Sequence, residues 1–424
     1  MRLYLSLLLL TTSFTTAFSQ SFTLSESKNP EIAGISADRL RRIDRVLTEY
    51  VDQGKQAGVI ALMVRNGQIV YHKAFGKNGY ANPVPLQRDA IMRIASQTKA
   101  ITTVAAMMLF EEGRFLLDDP ISRYIPAFKN PTVLDTFNDK DSSYTTKPAK
   151  SEITIRQLMT HTSGISYVTI GTKEANAIYA KAGIPSGIGT PMYSLSATIP
   201  ALGKLPLMHN PGEKWTYSLS TDVLGYLVEV ISGQPLDQFM RTRIFDPLGM
   251  NDTYFYLPAN RQNRLASLYT ETPKTLAVVA MPAQGGISSD YPNQPGTYFS
   301  GGAGLSSTAL DYAIFLQLML NKGEYNGKRL LAPATVELML QNQIGALSLG
   351  DGKFGLGFGI ATEKSAAKLP VSVGTFEWGG FFGTNYWADP KRGIIGIIMT
   401  QKVPNSAGDL NDKFRVLVYQ AITN

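Results

Sequence analysis

Leu40, Ile43, Val46, Leu47 and Tyr50 recur at helical spacing behind Ser36, a good helix cap, and charged residues fill many of the positions between them. The pattern predicts an amphipathic helix running to about Gln53, with Arg39, Arg41, Arg42 and Arg45 on its solvated face. Two apolar runs follow, at 59–65 and 68–75, separated by Asn66-Gly67. That pair accepts positive φ at both positions and predicts a two-residue β-hairpin. From Ser96 to Glu112 the chain is apolar nearly all round (Ile101, Val104, Met107, Met108, Leu109, Phe110), which reads as a buried helix. Residues 138–152 are polar and are expected to form a surface loop, while 165–210, rich in Gly, Pro, Tyr and Ala, show little periodicity. A helix is expected after Tyr217 (Val223, Leu224, Leu227, Val230, Ile231), and another from Thr308, whose spacing to Asp311 resembles a capping box. Strands return at 384–388 and 393–400 around an Asp389-Pro390 turn, and Leu410, Phe414, Leu417, Val418 and Ala421 close the chain with a helix. No internal repeat is present. The sequence predicts one sheet completed from both ends of the chain, with a helical insertion between.

At the start, Arg2, the apolar run Leu3 to Leu10 and the small residues of Ala17-Phe18-Ser19 read as a secretory signal peptide over 1–19, too short to span a bilayer. The mature chain, from about Gln20, is expected to be exported without a membrane anchor. Cysteine is absent, which excludes a disulfide scaffold, a thiolate nucleophile and a Cys-ligated metal. Three widely spaced histidines, His72, His161 and His209, argue against a His-rich metal cluster, so no metal or cofactor is expected. The formal charge of +7 comes from scattered basic residues, a distribution that does not predict nucleic-acid binding.

Several nucleophile signatures are missing: G-x-S-x-G, the Walker loop and H-E-x-x-H. S-x-x-K occurs three times, at Ser25/Lys28, Ser96/Lys99 and Ser365/Lys368. The first lies just behind the leader and the last in a polar run. Ser96 instead opens the buried helix, and Lys99 is the only charged residue between Arg93 and Glu111. At i and i+3 an ammonium reaches the serine hydroxyl. An apolar setting and a positive helix terminus both disfavour a charged lysine, so it can take the serine proton. The Ser96 N–H at the helix start is a natural oxyanion donor. On these features alone, a serine cap with a snorkelling lysine is an equal reading.

Downstream, Pro211-Gly212-Glu213-Lys214-Trp215-Thr216-Tyr217-Ser218 is a turn leading into a helix, and a phenol there can relay a proton. Glu377-Trp378-Gly379-Gly380-Phe381-Phe382-Gly383 follows an expected strand, where Gly379 and Gly380 let a substrate approach the backbone. Singly, each has a plain alternative: Tyr217 as a packed aromatic, the glycines as a bulge.

Together these pieces resemble the serine β-lactamase-like superfamily: class C β-lactamases, D-Ala-D-Ala peptidases and family VIII carboxylesterases. Ile94-Ala95-Ser96-Gln97-Thr98-Lys99 looks like its first motif. Leu117 to Pro126, Ile153 to Gly164 with His161-Thr162-Ser163-Gly164, Pro211-Gly212-Glu213 and Phe245 to Met250 look like its framework signatures. The resemblance covers about residue 33 to the C-terminus. It implies an α/β fold, an antiparallel sheet flanked by helices beside a helical domain, with an α/β part at 33–92 and 300–424 and a mainly helical part at 93–299. It also implies Ser96 as acylated nucleophile, Lys99 as its partner and Tyr217 as general base. His161 is then structural, because the mechanism already has its base.

Two departures point within the superfamily. The second motif usually reads Tyr-x-Asn but here carries Leu219, and the third usually carries a cation where Trp378-Gly379-Gly380 stands. Tyr-Ser-Leu with Trp-Gly-Gly is similar to the family VIII esterases and related acyltransferases, in which the N–H of Phe381 would join that of Ser96 in the oxyanion hole. The expected activity is therefore hydrolysis of small carboxylic esters through a Ser96 acyl-enzyme, with acyl transfer to alcohols as a variant. Two rivals stand beside it: a β-lactamase or D-amino-acid peptidase acting on cell-wall fragments, and a non-catalytic binding protein of the same fold.

Overall fold

The computed structural model describes residues 23–275, 277–281 and 288–424; the expected leader at 1–19 lies outside them. Ser36 accepts the amide of Arg39 and starts helix α1 (Ala37–Asp52), whose buried line is Leu40, Ile43, Leu47 and Tyr50. Nine strands form one sheet: β1 (Ser25–Glu26), β2 (Gly58–Arg65), β3 (Gln68–Asn78), β4 (Val84–Pro85), β5 (Lys353–Phe354), β6 (Gly359–Ile360), β7 (Phe376–Gly380), β8 (Thr384–Asp389) and β9 (Ile394–Met399). Their order is β1-β3-β2-β9-β8-β7-β6-β5, with β4 paired to the far end of β3. The two ends of the chain meet where β2 runs antiparallel to β9, Ile60 opposite Met399 and Arg65 opposite Ile394. One sheet is thus completed from both ends, as the hydrophobic pattern predicts. Within it β1 departs from the antiparallel rule and lies parallel to β3. Asn66 and Gly67, at φ 50° and 77°, make the β2–β3 turn.

Both faces of the sheet are covered, which is why β2 and β9 read as unbroken apolar runs. Val59, Ala61, Met63, Ile394, Ile398 and Trp387 pack against α1 and the last helix, α5 (Leu410–Gln420). Ile60, Leu62, Val64, Ile395, Ile397 and Met399 join the larger core on the other side. That core holds α2 (Thr98–Glu111), α3 (Ser220–Ser232) and α4 (Ala309–Leu320), with α5 (Leu410–Gln420) on the opposite face. Helix α2, buried from Thr98 to Leu109, packs on α3. Ser96 stands just outside it, in a 3-10 turn over Ala95–Gln97.

Two local expectations need correction. Part of the polar stretch 138–152 is not loop: Tyr144–Pro148, exposed throughout, pairs with Thr132–Phe137 as a hairpin. A strand that buries nothing carries no apolar alternation, so polarity concealed it. At α4, Thr308 does accept the Asp311 amide at 3.1 Å. The box stays half-made, because the Asp311 carboxylate instead accepts the Asp252 N–H at 2.8 Å and the Thr253 hydroxyl at 2.9 Å.

Gly396 faces the indole of Trp387, with which a Cβ would collide. Gly396→Ala should therefore cost about 1–3 kcal/mol, read as a lower denaturant midpoint with unchanged slope. A second expectation concerns pH. Burial lifts Asp311 from 3.8 to about 6 in the fold. A raised folded value means that stability is fully present below pH ~4 and is lost as pH climbs through about 6. The difference in thermal midpoint between Asp311→Asn and wild type should hence move in the variant's favour between pH 4 and pH 7.

Candidate active site

Ser96 is half-buried at the mouth of α2. Ala95, immediately before it, has φ 42°, a left-handed conformation that costs a non-glycine residue roughly 1–3 kcal/mol. The strain is held by burying the Ala95 methyl with Leu268, Tyr291 and Phe382. The start of α2 is fastened to the turn around 301–305. Ile94 N–H donates to Leu305 O, Leu305 N–H donates to Thr98 Oγ1, and Thr102 Oγ1 donates to Gly301 O at 2.7 Å.

Lys99 is fully buried beneath the serine. Its Nζ lies 3.3 Å from Ser96 Oγ, 3.0 Å from the Tyr167 hydroxyl and 2.8 Å from Gly302 O. Three partners match the three protons of an ammonium. Two of them, Tyr167 and Gly302, escaped sequence reasoning. Tyr167 falls in the aperiodic stretch after Gly164, and its one signal is proximity to the His161-Thr162-Ser163-Gly164 framework. Burial holds the Tyr167 phenol well above its ordinary value, so it remains a protonated O–H.

Tyr217 is set by its own segment. Thr216 N–H donates to His161 O at 2.8 Å, Gly212 N–H donates to Thr162 O at 2.7 Å, and His209 Nε2 meets the Thr216 hydroxyl at 2.9 Å. Its ring lies 4.5 Å from Lys99 Nζ, 5.4 Å from the Tyr167 ring and 4.9 Å from the His161 ring. The phenol oxygen accepts the indole N–H of Trp378 at 3.3 Å. An indole can only donate, so the Tyr217 oxygen acts as the acceptor in this contact. Among the described residues Tyr217 makes no hydrogen bond to Ser96 or Lys99; it meets the lysine through its ring face. His161 is buried beside this group, with Nδ1 3.0 Å from Ser218 Oγ. Burial first, and the Lys99 charge second, push its imidazole well below the ordinary range, leaving it neutral.

Trp378, Gly379 and Gly380 lie within β7, not after a strand as the sequence suggests. Strand β8 pairs with β7 along its length, but β6 covers only Phe376 and Glu377. The motif therefore occupies an open edge, as a substrate-binding strand requires. At Gly380 a Cβ would run into Ile94 O and the Thr384 hydroxyl, so only glycine lets this edge approach the residues before Ser96. Among the described residues neither Ser96 N–H nor Phe381 N–H donates to another group, and both remain available to a bound oxyanion.

The other two S-x-x-K sequences do structural work. Ser25 belongs to β1. Ser365 completes the helix start at Thr362, accepting its N–H at 3.2 Å, while Lys368 pairs with Asp351.

The family model described as Beta-lactamase matches residues 43–420. The chain belongs to the beta-lactamase family. Among relatives, lovastatin esterase of Penicillium rubens is 31% identical over 87% of this chain and 94% of its own length. Esterase EstB of Burkholderia gladioli is 29% identical over 91% and 96%. A protein of Escherichia coli O157:H7 named provisionally as a D-alanyl-D-alanine carboxypeptidase is 29% identical over 95% and 91%. Among solved structures, "EstCE1, a hydrolase with promiscuous acyltransferase activity" superposes with a TM-score of 0.74 at 27% identity, covering 90% of this chain and 98% of that one. This beta-lactamase family member is a serine hydrolase.

Tyr167→Phe keeps the ring and removes one hydrogen bond to Lys99. A hydrogen bond to a charged group is worth about 1.5–3 kcal/mol, so kcat/KM on any substrate of the site should fall roughly ten- to a hundredfold. Unchanged kinetics in a folded Tyr167→Phe protein would remove this hydroxyl from the working site.

Proposed function

We propose that the protein cleaves small carboxylic esters through a Ser96 acyl-enzyme and can pass the acyl group to an alcohol. The observation that carries this reading is the Trp378–Tyr217 contact. The third-motif position holds an indole whose N–H is already engaged by the phenol, 3.3 Å away. It offers no cation for the carboxylate of a β-lactam or a D-amino acid. Leu219, which stands where an amide would contact a peptide-like carbonyl, is turned into the core and fully buried. The names of lovastatin esterase, EstB and EstCE1 support the same choice.

Ser96 Oγ attacks the ester carbonyl while the Lys99–Tyr217 pair holds one proton fewer than an ammonium with a phenol, and the serine proton fills that place. Backbone N–H groups of Ser96 and Phe381 stabilise the oxyanion. When the tetrahedral intermediate collapses, the ester C–O bond breaks and the alcohol oxygen leaves with a proton returned through Tyr217. Water, or a second alcohol, then attacks the acyl-enzyme by the same steps and restores Ser96. Export by way of the 1–19 leader belongs to the same proposal, supported by the charge and hydropathy of that segment.

Hydrolysis of a short-chain chromogenic ester and a chromogenic cephalosporin, measured side by side, tests the reading. Ester turnover should greatly exceed cephalosporin turnover, and Ser96→Ala should lower it by more than roughly a thousandfold. The reverse preference would favour the peptidase reading that the carboxypeptidase-named relative supports. Absence of both activities, with no labelling of Ser96 by an acylating probe, would favour a binding protein.

A further inference from the structure

The run Ser300-Gly301-Gly302-Ala303-Gly304 announces no chemistry in the sequence, yet it forms the wall behind Lys99. Lys99 Nζ donates to Gly302 O at 2.8 Å. The N–H of that same peptide group, carried by Ala303, donates to Ser300 Oγ at 3.0 Å. The Ser300 hydroxyl in turn donates to Asp222 Oδ1 at 2.7 Å. Every link points the same way, from ammonium to carboxylate, and hydrogen bonds arranged so polarise one another. We propose that Asp222 is the buried counter-charge of Lys99, acting through this chain, and that Asp222 and Ser300 are positioning residues for the Ser96 reaction. The proposal rests on Ser96 being the acylated nucleophile.

Burial and packing single out this carboxylate. Lys99 and Asp222 are each 1% exposed and Ser300 is 0%. Asp222 lies in the first turn of α3, where a helix terminus favours negative charge. Three glycines close on Asp222 and its immediate neighbours without slack. A Cβ would lie 2.6 Å from Asp222 Oδ2 at Gly302, 2.6 Å from Thr221 O at Gly301 and 2.9 Å from Ser300 Oγ at Gly187. Glycine at these positions seals the pair from water and keeps its attraction unscreened. Burial pushes Asp222 above the ordinary carboxylate range, while the Ser300 hydrogen bond and the Lys99 charge draw it back toward the ionised form. The titratable groups facing the pair are Tyr298 beside Asp222, Tyr167 between the two, Tyr217 over Lys99 and the neutral His161 behind Tyr217. The phenols of Tyr167 and Tyr298 are both held above their ordinary value by burial, so neither competes as the anion.

The Lys99–Tyr217 pair, one proton short of an ammonium with a phenol before attack, gains positive charge when it takes up the Ser96 proton, and it gives that proton up again on the departing alcohol. A fixed negative charge at the end of the chain stabilises that interval and keeps one Lys99 proton on Gly302, directing the others to Ser96 and Tyr167.

Asp222→Asn removes the charge with little change of shape, and Ser300→Ala cuts the chain while keeping the carboxylate. The readout is the rate at which a fluorophosphonate labels Ser96 from pH 5 to 10, with ester kcat/KM beside it. In Asp222→Asn the labelling rate at the maximum of its pH profile should fall about ten- to a hundredfold. Both limbs of its pH profile should also move about one unit to lower pH, because positive charge in the site is then lost more easily. Ser300→Ala should move them the same way by less. Folded variants whose profiles keep the wild-type shape, at whatever rate, would make Asp222 a packing group and overturn the proposal. Should Asp222→Asn fail to fold, a wild-type profile in Ser300→Ala alone overturns it. Labelling does not require ester turnover, so a wild type that is labelled but hydrolyses no ester defeats the functional reading while the profiles still judge Asp222. A wild type left unlabelled at Ser96 overturns both.

Discussion

A lysine placed inside an apolar helix is the constraint around which this molecule is built. Taking an ammonium out of water costs several kcal/mol unless each of its protons finds a partner in good geometry. Lys99 finds three, on three separate parts of the chain: the serine one turn back, Tyr167 from the long irregular segment, and Gly302 from the turn before α4. Those parts are held together by the same requirement. The polar positions of α2 that face the 301–305 turn, Thr98 and Thr102, hydrogen-bond to it as well, so the helix and the turn behave as one rigid body around the cation. Breaking one partner would leave a buried charge uncompensated, and the arrangement is accordingly fixed before any substrate arrives.

The second constraint is aromatic. Tyr217 touches Lys99 with its face and Trp378 with its oxygen, and His161, Trp215 and Phe354 complete the wall around it. A cation at position 378 would add like charge near Lys99 and remove the indole donor to the phenol. Replacing it by tryptophan therefore alters two things together: what the site can bind, and how Tyr217 is held. This coupling makes Trp-Gly-Gly and Tyr-Ser-Leu read as a matched pair, with Leu219 spending its side chain on the core.

Large parts of this were legible in the sequence because they follow from periodicity. Strands buried on both faces, such as β2 and β9, read as unbroken apolar runs, and α1 and α5 carry their inward stripes openly. The open edge at Trp378-Gly379-Gly380 was legible through its glycines, although the strand was expected before the motif and not through it. Tyr167, Ser300 and Asp222 were not legible, for a common physical reason. Each works by a contact across a long stretch of sequence, 68 residues from Tyr167 to Lys99 and 78 from Asp222 to Ser300, and no local pattern marks such a contact. An aspartate in the first turn of a helix looks like an ordinary dipole partner until its burial is seen. The Tyr144–Pro148 strand was hidden oppositely, by having nothing to bury.

Charge placement and backbone strain converge on the same few residues. Ala95 is forced into a left-handed conformation one residue before Ser96, and the cluster of Leu268, Tyr291 and Phe382 holds it there. Phe382 follows Phe381 at the end of β7, so one small apolar cluster braces the residue before Ser96 from one side and the open edge of β7 from the other. The polar network behind Lys99 fixes the opposite side. Ser96 thus sits between an apolar clamp that sets its geometry and a buried chain of hydrogen bonds that sets the charge beneath it.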